Sequence, residues 1–354
     1  MKVRFYATLV LLLGALAMEA QDAHFSQFYA SPLTLNPALT GVFNGFYRIS
    51  GIYRNQDPGL AQSNPAYSTP AFSGDVSLLK DKIKNGALGV GLVFQNDQQN
   101  GKTFNTNEVM VSVAYNMTFG PKKKFQLGAG LQGGAASTKV DFSKLEFNDG
   151  YIVNGQQITY SQSTEALNTK AATKGMFNAG IFAKYEFAKG MRFYVGYSFN
   201  NASHYKENFI LGGVPAYNIP FRHTLHGGFE FDINDKFVLI PGFLYQNQAS
   251  ANETNFGLNL GIHVIRSPDP MKVATLFIGL WNRINTDNYT LIPELGFDYK
   301  GFRAGIAYDA PLTQQRADGA AIGGPYAQAF EVTLTYIGNI MQKKEDNYLF
   351  NPRY

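Results

Sequence analysis

Asn255-Phe256-Gly257-Leu258-Asn259-Leu260-Gly261-Ile262-His263-Val264 keeps its large apolar residues on one parity and its small or polar residues on the other. Side chains of a strand alternate between two faces, so Phe256, Leu258, Leu260, Ile262 and Val264 share one face and Asn255, Gly257, Asn259, Gly261 and His263 the other. The rule recurs with Leu88, Val90, Leu92 and Phe94 against Gly89, Gly91 and Gln95. It recurs again with Val109, Val111, Val113, Tyr115 and Met117 against Glu108, Ser112, Asn116 and Thr118. Strands of a transmembrane barrel look like this, with lipid on the first face and a water-filled or plugged lumen on the second.

Working outward, the same alternation predicts strands near 46–54, 71–79, 87–96, 108–118, 125–136, 176–187, 191–199, 222–232, 236–246, 254–264, 273–282, 289–299, 302–309 and 328–337. About fourteen strands is an even number, as bacterial single-chain barrels have. The weakest is 236–246, which Pro241 interrupts and whose two faces are both apolar. Connections are expected to alternate between long ones (56–70, 97–107, 137–175, 200–221, 310–327) and short ones (80–86, 120–124, 188–190, 234–236, 300–301). With a periplasmic N-terminus the long set faces outward and the C-terminus returns to the periplasm.

Composition closes off other classes. Residues 1–20 have a basic start at Lys2 and Arg4, an apolar run from Phe5 to Met18 and a small Ala20, which is the pattern of a cleaved secretory signal. Beyond it no run reaches 18 apolar residues, so any membrane span must be β. The 36 Gly, 21 Tyr and 29 Phe beside only 16% charged residues suit aromatic girdles and a small-residue lumen. With no Cys there is no disulfide, no thiolate metal site and no lipid-modified cysteine. A net charge of +4 without a long basic block gives no nucleic-acid footprint.

Between the signal and the first strand lies residues 21–44, with Pro32, Asn36-Pro37 and Gly41 marking an extended, turning course that is not a regular helix. Such a segment either fills the lumen as a plug or hangs below the barrel in the periplasm, and its Phe25, Phe28 and Tyr29 need burial, which a lumen plug supplies. This stretch resembles the N-terminal signature of the PorP/SprF family of the Bacteroidetes type IX secretion system. The resemblance rests on Gln21, Asp22, Phe25, Ser26, Gln27, Pro32, Leu33, Asn36, Pro37, Ala38 and Gly41, followed by Tyr47-Arg48 and Tyr53-Arg54-Asn55-Gln56. Many members carry a tryptophan after the Arg-Asn-Gln stretch, where this chain has Asp57. The resemblance implies an outer-membrane barrel of the secretion and gliding machinery. It partners either a secreted surface adhesin, as in the SprF-like group, or the translocon and periplasmic ring proteins, as in the PorP-like group. It also implies that Gln21, Asp22, Phe25, Ser26, Gln27, Pro32, Asn36, Pro37, Gly41, Tyr47 and Arg48 form a plug or partner-binding motif.

Catalytic and cofactor readings fail on context. Gly128, Gly130 and Gly133 match G-x-G-x-x-G, but no helix follows, and small lumen-facing residues beside a plug are the better account. His223 and His226 are three apart, which on a strand puts them on opposite faces, and no G-x-S-x-G elbow is present. No cofactor, no metal and no enzymatic activity are expected. Lysines collect in the short turns, at Lys80, Lys82, Lys84, Lys122, Lys123, Lys124, Lys189, Lys236, Lys272 and Lys300, either as solvated residues or as a basic periplasmic rim docking an acidic partner. Loop 137–175 is long enough to suggest function or a hairpin extension. The tail 339–354 is polar, then aromatic. A secretion component is thus the leading expectation for this exported outer-membrane chain, with a diffusion porin as the alternative; the predicted inward residues, mostly Gly, Ser, Asn, Thr and Gln, supply no selectivity ring.

Overall fold

The computed structural model describes residues 24–56, 67–80, 82–99, 101–120, 124–141, 151–154, 157–161, 170–202, 206–207, 217–218, 220–266, 273–285, 288–314 and 328–339. The signal segment, Gln21, Asp22 and residues 340–354 of the tail lie outside them. In chain order the strands are β1 (Tyr47–Gln56), β2 (Tyr67–Leu78), β3 (Gly86–Gln99), β4 (Phe104–Phe119), β5 (Phe125–Val140), β6 (Tyr151–Asn154), β7 (Gln157–Tyr160), β8 (Lys170–Ala188) and β9 (Met191–Asn200). They continue as β10 (Lys206–Glu207), β11 (Tyr217–Asn218), β12 (Arg222–Asp232), β13 (Phe237–Gln248), β14 (Ala251–Ile265), β15 (Ala274–Asn285), β16 (Asn288–Tyr299), β17 (Phe302–Gln314) and β18 (Ala329–Gly338).

All but the two short hairpins, β6–β7 and β10–β11, close into one antiparallel barrel, with β1 pairing β18 from Tyr47↔Gly338 to Gln56↔Ala329. The barrel's fourteen strands are those the alternation predicted. Closure leaves no strand edge in the lipid layer, where an unpaired N–H or C=O costs several kcal/mol by the usual order of magnitude (~). The solvent preference is that of a membrane protein. Ile181, Leu131, Leu334 and Leu92 are more than half exposed on the outer wall, while Ser112, Thr224 and Asn255 are fully buried inside. No described helix is long and apolar enough to cross a membrane.

The strand expected to be weakest is present, and one expectation needs correction. Strand β13 is regular despite Pro241. The β12 ladder pairs Gly228↔Gly242 and resumes at Phe231↔Leu239, so the missing N–H falls where the ladder is already open. The loop-length alternation is weaker than predicted, because strands run on into the supposed loops. Only residues 249–250 separate β13 from β14 and only 286–287 separate β15 from β16, on the side expected to be long. Loop 141–169 carries the β6–β7 hairpin that its length suggested.

We call the end where β1 begins and β18 finishes the near end, and the opposite one the far end. Strand β8 has 19 residues and β4 and β5 have 16 each, against 10 in β1, β9 and β18, so one side of the wall projects at the far end. A charge on the lipid face tests this membrane placement. Leu131→Arg on β5 is expected to destabilise the barrel by about 2–4 kcal/mol if it sits near the bilayer midplane, read as a lower denaturant midpoint in lipid vesicles, whereas Leu131→Val should change little.

Candidate functional site: a plugged lumen and its polar socket

Residues 24–43 run inside the barrel. Proline placement makes them a chain of single turns: a 3-10 turn at Phe28–Ala30, one helical turn at Pro32–Leu35 and a second 3-10 turn at Pro37–Leu39. Pro32 and Pro37 each open a turn, where the absent N–H is not needed. Asn36 caps the last one by accepting from Ala38 N at 2.9 Å. The turns satisfy the backbone N–H groups of Ala30, Ser31, Thr34, Leu35, Asn36, Leu39, Thr40 and Val42 internally, and in a lumen filled by protein the barrel supplies partners for other groups.

It does so at three levels. Towards the amino end, the Glu331 carboxylate (β18) accepts the backbone N–H groups of Ser26 at 2.7 Å and Gln27 at 2.8 Å. Ser26 Oγ donates to Asp309 (β17) at 2.7 Å and accepts from Arg54 (β1) and Arg283 (β15), both at 2.9 Å. Arg54 also holds Glu331 at 2.5 Å and Asp309 at 2.7 Å, and Arg283 holds Asp309 at 2.6 Å. Isolated buried charges of this kind would cost several kcal/mol each (~), so the four are tolerable only as a connected set. Tyr29 donates its hydroxyl to Glu294 (β16).

In the middle, Gln132 (β5) donates to Leu33 O at 3.1 Å and Ser198 (β9) to Leu35 O at 2.8 Å. Asn36 Nδ2 donates to Ile181 O (β8) at 3.0 Å and lies 3.1 Å from His226 Nε2 (β12). Towards the near end, Thr40 Oγ1 is 2.6 Å from Ser112 Oγ (β4), and Gly41 N donates to Asp75 (β2) at 2.8 Å. Arg48 grips Asp75 with two bonds of 2.9 and 2.8 Å and donates to Leu39 O at 3.1 Å. Lys80 donates to Gly45 O at 2.6 Å.

Apolar contacts complete the fit. Phe28 meets Trp281 (β15) edge-on with ring centroids 5.5 Å apart, and Tyr29 lies 5.9 Å from the same indole. Phe28, Leu35, Ala38, Leu39 and Val42 form one buried cluster with Phe182, Tyr194, Leu244, Trp281 and Ile292 of the wall. Glycine matters where backbones meet. A side chain at Gly130 would run into Pro37 and Ala38, and one at Gly89 into the Thr40 carbonyl. This explains Gly130 of the run that mimics a dinucleotide fingerprint.

His24, at the amino end of the plug, lies 3.3 Å from Glu253. That carboxylate raises the imidazole pKa, but burial and the Arg283 and Arg54 guanidiniums together outweigh it and hold His24 below its ordinary value. On the far-end side of the plug lies a pocket of about 50 Å³, its lining including Gln95, Gln132, Asn178, Asn200, Met110 and Met176. Among the described residues no group of His, Cys, Asp or Glu is arranged to hold a metal ion.

Of the residues the sequence singled out, Phe25, Ser26, Gln27, Pro32, Asn36, Pro37 and Gly41 are all buried in the plug, and Arg48 is its near-end clamp. Tyr47 is not among them, lying 5.9 Å from Tyr336 at the near-end rim. Gln21 and Asp22 lie outside the described residues. Sequence reasoning missed the partners, Asp75, Arg283, Glu294, Asp309 and Glu331. It also read the inward face as almost uncharged, whereas these buried acids and bases line it. Their parity was the available signal, since Asp309 and Glu331 each occupy an inward position of an alternating strand.

The family described as "Type IX secretion system membrane protein PorP/SprF" has a sequence model that matches residues 17–336. No curated protein matches the sequence. Among solved structures, the chain is similar to the TodX monoaromatic hydrocarbon channel with its S2 and S3 deleted, at 10% identity and a TM-score of 0.51 over 87% of this chain and 94% of that one. It is also similar to the CymD monoaromatic hydrocarbon channel, at 12% identity and a TM-score of 0.50 over 90% and 95%. Identity this low shows a shared outer-membrane barrel fold.

The wall carries a reporter of the plug, because Trp281 is the one tryptophan in the chain and is buried against Phe28 of the plug. Gly130→Val is expected to push the plug off the wall and red-shift the tryptophan emission of the folded barrel, while Gly133→Ala, whose new Cβ meets only ordinary contact, leaves it unchanged. Arg54→Met leaves Asp309 and Glu331 short of a cation, and should cost about 3–5 kcal/mol, measured as a fall in the denaturation midpoint.

Proposed function

This chain belongs to the PorP/SprF family of type IX secretion system membrane proteins, and from that premise we propose that it is a non-enzymatic docking component rather than a pore. It serves a secreted surface adhesin or the translocon and periplasmic ring of that machinery. The observation that carries the reading is the lumen itself: residues 24–43 fill it and bond to strands all round the wall. A diffusion porin needs an open polar passage. Here the inward charges Arg48, Arg54, Asp75, Arg283, Asp309 and Glu331 are engaged in holding the plug.

On this reading the signal segment 1–20 is removed on export, residues 21–44 are the plug, 45–338 the barrel, and 339–354 a periplasmic tail. Both termini then face the periplasm, and the far end, with the long loops 141–169 and 201–221, faces outward. Long loops on a rigid barrel are where binding residues are usually placed. That gives an adhesin a surface at the far end and the ring a surface at the near end.

Purification of the tagged protein from its native outer membrane in mild detergent, followed by mass spectrometry, tests the proposal. Recovery of secretion-system proteins or one large surface adhesin is expected. Planar-bilayer recording gives the complementary reading. The whole protein should show no steady conductance and a variant lacking residues 25–40 should conduct; a lone barrel that conducts steadily with its plug present would mean a porin.

A further inference from the structure

The near-end turns share a chemistry that holding the plug does not use. Each of the barrel's six connections there carries a described cation: Lys82 and Lys84 after β2, Lys124 before β5, Lys189 after β8, Lys236 before β13, Arg266 after β14 and Lys300 after β16. All are exposed except Lys124, which is partly so. Exposed acids among the described residues of these turns are Asp232 and Asp235, and Asp298 at the end of β16 is held by Arg303 at 2.7 Å. At the far end the described residues of turns 101–103 and 249–250 carry a single lysine, Lys102. Among the described turn residues the cations thus gather at the near end, while those of the far end, such as Lys139 and Lys174, stand on the strands themselves.

Position decides what this rim meets. Immediately along the strands from these lysines stands a ring of outward aromatic residues, among them Phe119, Tyr185, Phe187, Phe229, Phe297 and Phe302. Aromatic belts mark the boundary between hydrocarbon and headgroups. Two of the lysines lie on belt rings, Lys236 with Nζ 5.5 Å from the Phe237 centroid and Lys300 with Nζ 5.0 Å from that of Tyr299. The turns are short, residues 189–190 and 300–301 being two-residue links, so they hold the ammonium groups at headgroup depth beside the wall. A protein ring would find these charges spread around a perimeter and half sunk among lipid headgroups; a phospholipid finds each within reach of its phosphate.

We propose that the near-end rim is an annular binding surface for anionic phospholipids, each lysine turn pairing with a headgroup phosphate while the aromatic belt packs on the upper acyl chain. Phosphatidylglycerol and phosphatidylcholine share a phosphate and differ in net charge, so they separate charge recognition from mere headgroup contact. The full-length protein is reconstituted in phosphatidylcholine bilayers containing a trace of spin-labelled phosphatidylglycerol or phosphatidylcholine, and the motionally restricted fraction of each is measured.

Phosphatidylglycerol should associate roughly threefold more strongly than phosphatidylcholine, as expected for partly screened lysine–phosphate attraction, and the ratio should fall to about one in molar salt. The variant Lys82→Gln, Lys84→Gln, Lys124→Gln, Lys189→Gln, Lys236→Gln and Lys300→Gln should lose the preference while keeping its heat-modifiable mobility on gels, and Lys102→Gln should retain it. Equal association of the two lipids with the native chain, or a preference that survives in the six-site variant, overturns the proposal. Loss of a co-purifying acidic protein from that variant with lipid preference unchanged overturns it equally, and makes the rim a protein-docking surface.

Discussion

Asp309 and Glu331 face into a lumen that their own chain fills, and each is engaged by several donors at once. Two guanidiniums reach them from β1 and β15, a serine hydroxyl donates to one and two backbone N–H groups to the other. Remove the plug and the carboxylates lose Ser26 and the Gln27 N–H; remove the carboxylates and the plug loses its anchor at the amino end. A charge cluster in low dielectric is most stable when complete, so barrel and plug stabilise each other.

The near-end clamp repeats the logic at smaller scale. Asp75 joins Gly41 N to the Arg48 guanidinium, and Arg48 also reaches the Leu39 carbonyl, so the segment is pinned just before it turns into β1. Between the two anchors the plug lies directly on glycine backbone, receives single hydrogen bonds from Gln132, Ser198 and Asn116, and bonds the wall itself through Asn36. Rigid anchoring at both ends fits a protein whose role is to present fixed surfaces to other components.

The barrel was legible because lipid imposes a period of two that no competing interaction disturbs: Phe256, Leu258 and Val264 stay on the outer wall whatever the lumen holds. Burial of Phe25 and Phe28 was legible for the same reason, since large apolar groups had no other place to go. The socket was not. Which inward residue meets which plug atom depends on strand register and barrel closure; Ser26 and Glu331 are 305 residues apart. Loop lengths misled because β4, β5 and β8 extend past the lipid layer as regular strand, where polar outward residues such as Asn105, Asn107 and Thr173 mask the alternation that marks a span.

That the amino-terminal segment occupies the lumen of the membrane-embedded protein is the claim on which the rest turns, and the absence of native cysteine makes it directly measurable. Thr40 Oγ1 and Ser112 Oγ are 2.6 Å apart across the plug–wall boundary, so the double variant Thr40→Cys, Ser112→Cys places two thiols within bonding reach. After mild oxidation of whole membranes the account predicts an intramolecular disulfide, seen as a reducible mobility shift, and no labelling of either thiol by a membrane-impermeant maleimide. Two free thiols labelled at the rate of an exposed cysteine would show that the segment lies outside the barrel.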